Sequence, residues 1–251
     1  MWLPGLQNAR KTQRFQDFDI NSICMNRIPK LRFDVEREGL SVWIAKVTNL
    51  KLGESSKAFE TFEQAIFDEI RSQDDLESMK DDPIFRSYRD LYWTFGMDPT
   101  KQRISSEALR RRILRGLNLW RISDVVDVAN LASAYHKLPI GLVDDAKREG
   151  DLRIRIAHRG EEFVRIGGKI MNCRGREIVL ADDEKIICLG YATHDSELTK
   201  VAPESNDVLF LIYAAQAATN QILNSAIEIT IDMIERWLDC KMVGHSIYRI
   251  V

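Results

Sequence analysis

The chain has 251 residues, 45% of them apolar, which is enough for one large domain with a sizeable core. A formal net charge of -2 announces no polyanion partner in bulk, no apolar run reaches the roughly 20 residues of a membrane helix, and the opening MWLPGLQNARK lacks a secretory apolar core. A cytoplasmic protein with no membrane partner is expected; Cys24, Cys173, Cys188 and Cys240 read as reduced packing residues, and no His or Cys spacing suggests a metal or a cofactor.

Residues 1–39 carry little periodicity and read as an extension whose Trp2, Phe15, Phe18 and Ile20 pack on a single domain spanning 40–251. LSVWIAKV (40–47) alternates at period two and predicts a strand. A helix is expected from about Ser56 to Ser72, with Phe59, Phe62, Ala65, Ile66 and Ile70 on its buried face. A second helix over FRSYRDLYWTF ends at a Gly-Met-Asp-Pro loop, and a third begins near Ser105, a favourable N-cap.

Charge is uneven along the chain: residues 68–82 hold seven acids against two bases, and residues 101–121 hold seven bases against one acid. On a helical wheel Leu109, Ile113, Leu114 and Leu117 share one arc, with Arg111, Arg112 and Arg115 opposite. Together with Lys101 and Arg103 these arginines are phosphate-binding candidates, because a guanidinium binds phosphate oxygens bidentately. A solvated helix face paired with the acidic 68–82 segment is the competing reading.

VVDVANLASAYHKLPIG (125–141) predicts an apolar helix running into a Pro turn, yet Ser123, Asp127, Asn130 and Ser133 form a polar stripe within about one third of its circumference. Such a stripe lines a confined pocket or satisfies nearby backbone groups. Strands follow at 152–157, 161–166, 177–182, 185–192 and 207–214, with Gly167-Gly168 and Asp182-Asp183 at hairpin turns. A closing helix spans Ala215 to Asp239, although IEITID within it alternates like a strand. The expected class is α+β, with an antiparallel or mixed sheet flanked by helices.

YRDLYWTFGMDPTKQRISSEALRRRILRG, ISDVVDVANLASAYHKLPIGLVD, GEEF, ADD and HDSELTKV follow one another in an order that resembles the tRNA-binding and editing domain of the phenylalanyl-tRNA synthetase β subunit, over about residues 84–214. The resemblance is closer still to stand-alone proteins that consist of little else. It implies that fold without the aminoacylation machinery, tRNA and an aminoacyl-tRNA synthetase as partners rather than DNA, and hydrolysis of mischarged aminoacyl-tRNA by water attack on the ester. The alternative is a non-catalytic tRNA- or synthetase-binding module of the same fold.

By the same resemblance Asn130 lines the pocket, with Asp127 and Ser133 on its stripe, and GYATHDSELTK closes it with Gly190, Thr193, His194, Asp195, Ser196, Thr199 and Lys200. Asn130, Thr193, His194 and Asp195 are the catalytic candidates, and N–H groups of the loop could hold a tetrahedral oxyanion. Gly141 stands where relatives usually carry His, and Ile212 where an acidic pocket residue is expected, so tyrosine-reading chemistry does not carry over.

Overall fold

A computed structural model of the protein describes residues 27–250, so Trp2, Phe15, Phe18, Ile20 and Cys24 lie outside the described residues. In chain order its strands and α-helices are β1 (Leu31–Phe33), β2 (Ser41–Thr48), α1 (Lys57–Gln73), α2 (Pro83–Thr94), α3 (Ser105–Leu114), α4 (Asp124–His136), β3 (Ile140–Asp144), β4 (Leu152–Ile156), β5 (Arg159–Val164), β6 (Ile170–Arg174), β7 (Ile178–Ala181), β8 (Ile186–Leu189), β9 (His194–Asp195), β10 (Val208–Ala214), α5 (Asn220–Trp237) and β11 (Lys241–Arg249). The class is α+β.

An antiparallel sheet ordered β11-β2-β10-β3 forms the centre. Because side chains alternate across a strand, β2 sends Trp43, Ala45 and Val47 to one core and Val42 and Ile44 to the other. The first core is covered by α1, α3, α4 and α5. The second lies between the sheet, α2 and strands of a mixed sheet ordered β1-β4-β7-β8-β9. The alternation read in LSVWIAKV therefore does not mark a solvent face: Lys46 is buried, anchored by Asp145 at 2.7 Å and Asp207 at 3.6 Å. The hairpin β5–β6 stands apart as a two-stranded ribbon.

Local chemistry sets the boundaries. Ser56 caps α1 by accepting the Phe59 N–H, and Asp82 caps α2 with Pro83 at its first turn. The buried face of α1 differs from the expected one, since Glu63 and Phe67 are buried while Ala65 is exposed. In α3 the N-cap is Ile104 rather than Ser105, and the helix stops at Leu114 because Gly116 takes a left-handed φ of 77° just beyond it. Leu117 thus leaves the apolar arc and is exposed. The segment after α4 is not merely a turn: Ile140–Asp144 becomes an edge strand. Strands β1, β6 and β11 likewise go beyond the expected set, and IEITID is helical within α5.

Candidate active site at the 190–195 turn

The strand expected over 185–192 ends at Leu189, because Gly190, Tyr191 and Ala192 take φ values of 74°, 51° and 76°. Left-handed backbone at Tyr and Ala is costly, and it is held here by the surroundings. The Tyr92 hydroxyl donates to the Gly190 carbonyl at 2.5 Å and also bonds the Thr193 hydroxyl, while the Ser105 N–H donates to the Ala192 carbonyl at 3.2 Å. The Tyr191 hydroxyl reaches the carbonyls of Ser41 and Ala214 at 2.9 and 3.0 Å.

This rigid turn delivers Asp195 against β3 and β10. A Cβ added to Gly141 would stand 3.1 Å from Asp195 Oδ1 and 3.3 Å from the Tyr213 hydroxyl, so only glycine admits both groups without displacement. Burial raises the Asp195 carboxyl to a pKa of about 6, opposed by the Leu142 N–H and the Cys188 thiol, both of which favour its ionised form. The Tyr213 hydroxyl is buried, lacks a hydrogen bond of good geometry, and is kept protonated by burial and by its neighbours Cys188 and Asp195. Buried hydroxyls normally find a partner; among the described residues Ser105 and Ser106 share this lack, and Tyr213 differs from them in lying beside a buried carboxyl. His194, beside Asp195, is driven down to a pKa of about 4 by burial and by Arg165 and is neutral at pH 7.

The other expected site residues are distributed as follows. Ser196 is fully buried and its hydroxyl accepts the Leu198 N–H; Thr199 is buried; Lys200 pairs with Glu197. The oxyanion role expected of the loop backbone meets an obstacle, for the N–H groups of Gly190, Thr193 and Ser196 already donate to Ile178, Leu189 and Ile187. Ile212 pairs with Ile140 and faces the helical core, whereas Leu211 pairs with Gly141 and the Tyr213 side chain packs against Gly141 from the other face. Successive residues of a strand take opposite faces, so Ile212 lies on the other side of the sheet from the Asp195–Tyr213 cluster.

On α4, Asp127 is a structural anchor, accepting from Ser55 at 2.7 Å and from the Ile122 N–H at 3.1 Å and lying 3.6 Å from Arg121. Ser133 donates to the Leu138 carbonyl at 3.0 Å and holds the turn into β3. Asn130 is half-buried and makes no side-chain hydrogen bond among the described residues. Its helix packs on the opposite face of the central sheet from Asp195 and Tyr213, and no described polar contact joins it to residues 190–200. Three surface clefts lie elsewhere, the largest of them about 690 Å³ and lined by Arg153, Arg155, His158, Glu161 and Asp182–Glu184 among others.

Comparison with known proteins places the fold. The family description "B3/4 domain" matches residues 87–243. The chain belongs to the B3/4 domain family. It is 34% identical over 85 residues to the phenylalanine–tRNA ligase β subunit of Fusobacterium nucleatum, covering 34% of this chain and 10% of that protein. It is 31% identical over 114 residues to the β subunit of Mycoplasmoides gallisepticum, covering 45% and 14%. Among solved structures, an N-terminal fragment of the phenylalanyl-tRNA synthetase β subunit from Pyrococcus horikoshii aligns with a TM-score of 0.41 and 12% identity, over 80% of this chain and 46% of that one. The B3/4 domain thus spans only a small share of its curated relatives' length.

The B3/4 domain does not assemble the expected basic residues into one exposed face. Arg111 is half-buried and lies 3.9 Å from Glu107. Arg112 stacks 4.0 Å over Trp120 and donates to the Asn118 carbonyl at 2.6 Å. Arg103 pairs with Glu107 at 3.4 Å and exposed Lys101 with Asp98 at 3.6 Å. Only Arg115 is exposed with no ion pair among the described residues. The pairing expected with the acidic 68–82 segment is made instead by Arg110, buried 2.6 Å from Asp74. Residues missed in the sequence are Tyr92, Cys188 and Tyr213, whose aromatic and apolar character is indistinguishable from core until the strands are paired.

Proposed function

We propose that this B3/4 domain binds aminoacyl-tRNA and hydrolyses the ester of mischarged species in trans. Water attacks the ester carbonyl carbon as the Asp195 carboxylate accepts its proton; when the tetrahedral intermediate collapses, the C–O bond to the ribose breaks and Asp195 returns that proton to the ribose oxygen, which leaves as a hydroxyl. A carboxylate with a pKa of about 6 is a better base near neutrality than His194, whose pKa of about 4 leaves it little driving force. The Tyr213 hydroxyl, protonated and without a good partner, is the donor for the developing oxyanion in place of the committed loop N–H groups. The carrying observation is the coincidence of a raised carboxyl, an unpartnered hydroxyl and left-handed Tyr191 and Ala192 at one turn.

A second reading, a non-catalytic tRNA- or synthetase-binding module, draws on the close packing of Asp195 and Tyr213 over Gly141 and on the absence of that cluster from the three clefts described. Single-turnover deacylation of a panel of mischarged tRNAs separates them. Hydrolysis of at least one species supports the enzyme; tRNA binding without hydrolysis of any species leaves the binding module.

Asn130 lies across the central sheet from Asp195 and Tyr213 and has no part in the proposed reaction. Asn130→Ala is expected to leave both the melting temperature, within about 0.5 kcal/mol of stability, and the single-turnover rate nearly unchanged. A tenfold or greater loss of rate in a stably folded variant would return Asn130 to the site. Of the arginines on and after α3, Arg115→Ala is expected to weaken tRNA binding and make the slope of log K against log salt shallower by about 0.7 to 0.9. Arg111→Ala, already paired to Glu107, should change that slope less. An equal change for both would contradict the distinction.

A further inference from the structure

The hairpin β5–β6 and the turn that follows it hold a second group of bases that the proposed site does not use. In the strand register Arg159 stands directly opposite Arg174, and like charges placed directly across a ladder repel. Both are exposed, as is Arg176 two residues further on, and none of the three has an ion pair among the described residues. Their neighbours are arranged differently: Arg155 pairs with Glu161, and Arg153 with Asp183. The acid on the turn that follows β6, Glu177, is buried, and its carboxylate accepts the backbone N–H groups of Arg174 and Arg176 at 2.8 and 3.2 Å.

The turn geometry keeps these bases together. Gly175 takes a φ of 81°, and a Cβ there would lie 3.3 Å from the Cβ of Arg159, so the turn closes tightly on the Arg159 backbone. Arg176 in turn lies against Gly96, its Cδ 3.5 Å from where a Cβ on that glycine would stand. Gly96 opens the loop that carries Lys101 and Arg103, and Met97 of the same loop packs on Gly190, its Cε 3.1 Å from the corresponding position. The 96–103 loop therefore touches the hairpin's bases at one end and the 190–195 turn at the other, so the three arginines lie one loop away from that turn.

We propose that Arg159, Arg174 and Arg176 form a phosphodiester clamp that grips the backbone of an RNA strand and leads it toward the 190–195 turn. Three guanidinium groups with no acidic partner, two of them in direct opposition, are stabilised when an anion lies between them, and a phosphodiester accepts the bidentate bonds that arginine offers. The identity of the RNA as an aminoacyl-tRNA rests on the function proposed above; the clamp itself requires only a polyanionic strand.

The test uses the full chain with two probes, unacylated total tRNA and a short oligouridylate, titrated over a range of salt. Replacing all three arginines by Ala is expected to weaken binding of both probes and make the salt slope shallower by about 2, near 0.7 for each phosphate no longer neutralised. Arg174→Glu provides a variant that does not rely on loss of side chains: it sets opposite charges across the ladder, so its melting temperature should hold or rise while its RNA affinity falls. Wild-type binding of tRNA with affinity and slope unaffected by either variant overturns the clamp and leaves the deacylase reading standing. Binding of oligouridylate that depends on the arginines, without preference for tRNA, supports the clamp and counts against that reading. A wild-type chain that binds neither probe at low salt overturns both.

Discussion

Asp195→Asn should abolish most deacylation and at the same time raise the melting temperature. Loss of a general base costs about 10²- to 10⁴-fold in rate. The stability change follows from the direction of the pKa shift. The folded chain holds the Asp195 proton up to a pKa of about 6, above the ordinary 3.8, so it binds more protons than the unfolded chain between those values and its stability falls as pH rises through that window. At neutral pH the ionised carboxylate is a liability of at most about 3 kcal/mol, which a neutral amide of the same shape removes. The residue as a whole is only half-buried, and solvent reduces this figure. In the wild type, single-turnover rate should fall as pH drops below about 6, the point at which the carboxylate takes up its proton. Tyr213→Phe is the companion: it removes a buried hydroxyl that lacks a good partner, so stability should hold or increase, while loss of an oxyanion donor should cost about 10²- to 10³-fold in rate. Variants that gain stability without losing turnover would transfer the cluster from catalysis to packing. Thermal unfolding run beside single-turnover assays from pH 5 to pH 8 reads all of these.

Arg121→Ala is expected to give the largest loss of stability. Glu63 on α1 has no solvent exposure, and Arg121 engages it bidentately, donating from Nη1 at 2.9 Å and from Nη2 to the second oxygen. The same guanidinium lies 3.6 Å from buried Asp127 and over the Phe59 ring. Removing it leaves two buried carboxylates facing each other. Breaking such a pair costs about 3 to 5 kcal/mol, and because Arg121 is 37% exposed the lower end applies. For a chain of this size that corresponds to about 6 to 12 °C in melting temperature. Burial already raises the Glu63 pKa despite Arg121, which opposes it, so in the variant the carboxyl takes up a proton more readily. The deficit relative to wild type should therefore be greatest near neutrality and shrink as pH falls toward 4. A deficit under about 1 kcal/mol at pH 7, or one independent of pH, would mean that water reaches Glu63 and the contact is dispensable.

This network also resolves the polar stripe on α4. Ser123, Asp127, Asn130 and Ser133 do share one arc, as 3.6 residues per turn requires. Yet the arc serves different ends along its length: Asp127 anchors the Arg121 segment and Ser55, Ser133 fastens the turn into β3, and Ser123 and Asn130 make no side-chain hydrogen bond among the described residues. Spacing along a helix states which side chains are neighbours; it does not state what the neighbouring segments offer them.

What the amino-acid sequence determined by itself is what short-range physics governs. Ser56 and Asp82 supply the capping oxygens that start two helices, Gly167-Gly168 supplies the left-handed pair that closes the β5–β6 hairpin, and the ordered motifs from Tyr88 onward identify the family. Tertiary structure alone decided which face each strand residue occupies. Tyr213 rather than Ile212 meets Gly141 because β10 is buried on both sides, and a strand apolar throughout carries no periodic mark of its two faces. It also decided that Asp195 is a raised carboxyl rather than a loop acid, since that shift comes from β3 and β10 closing over it, and that Arg159 opposes Arg174, which no spacing within either strand reveals until the hairpin register is fixed.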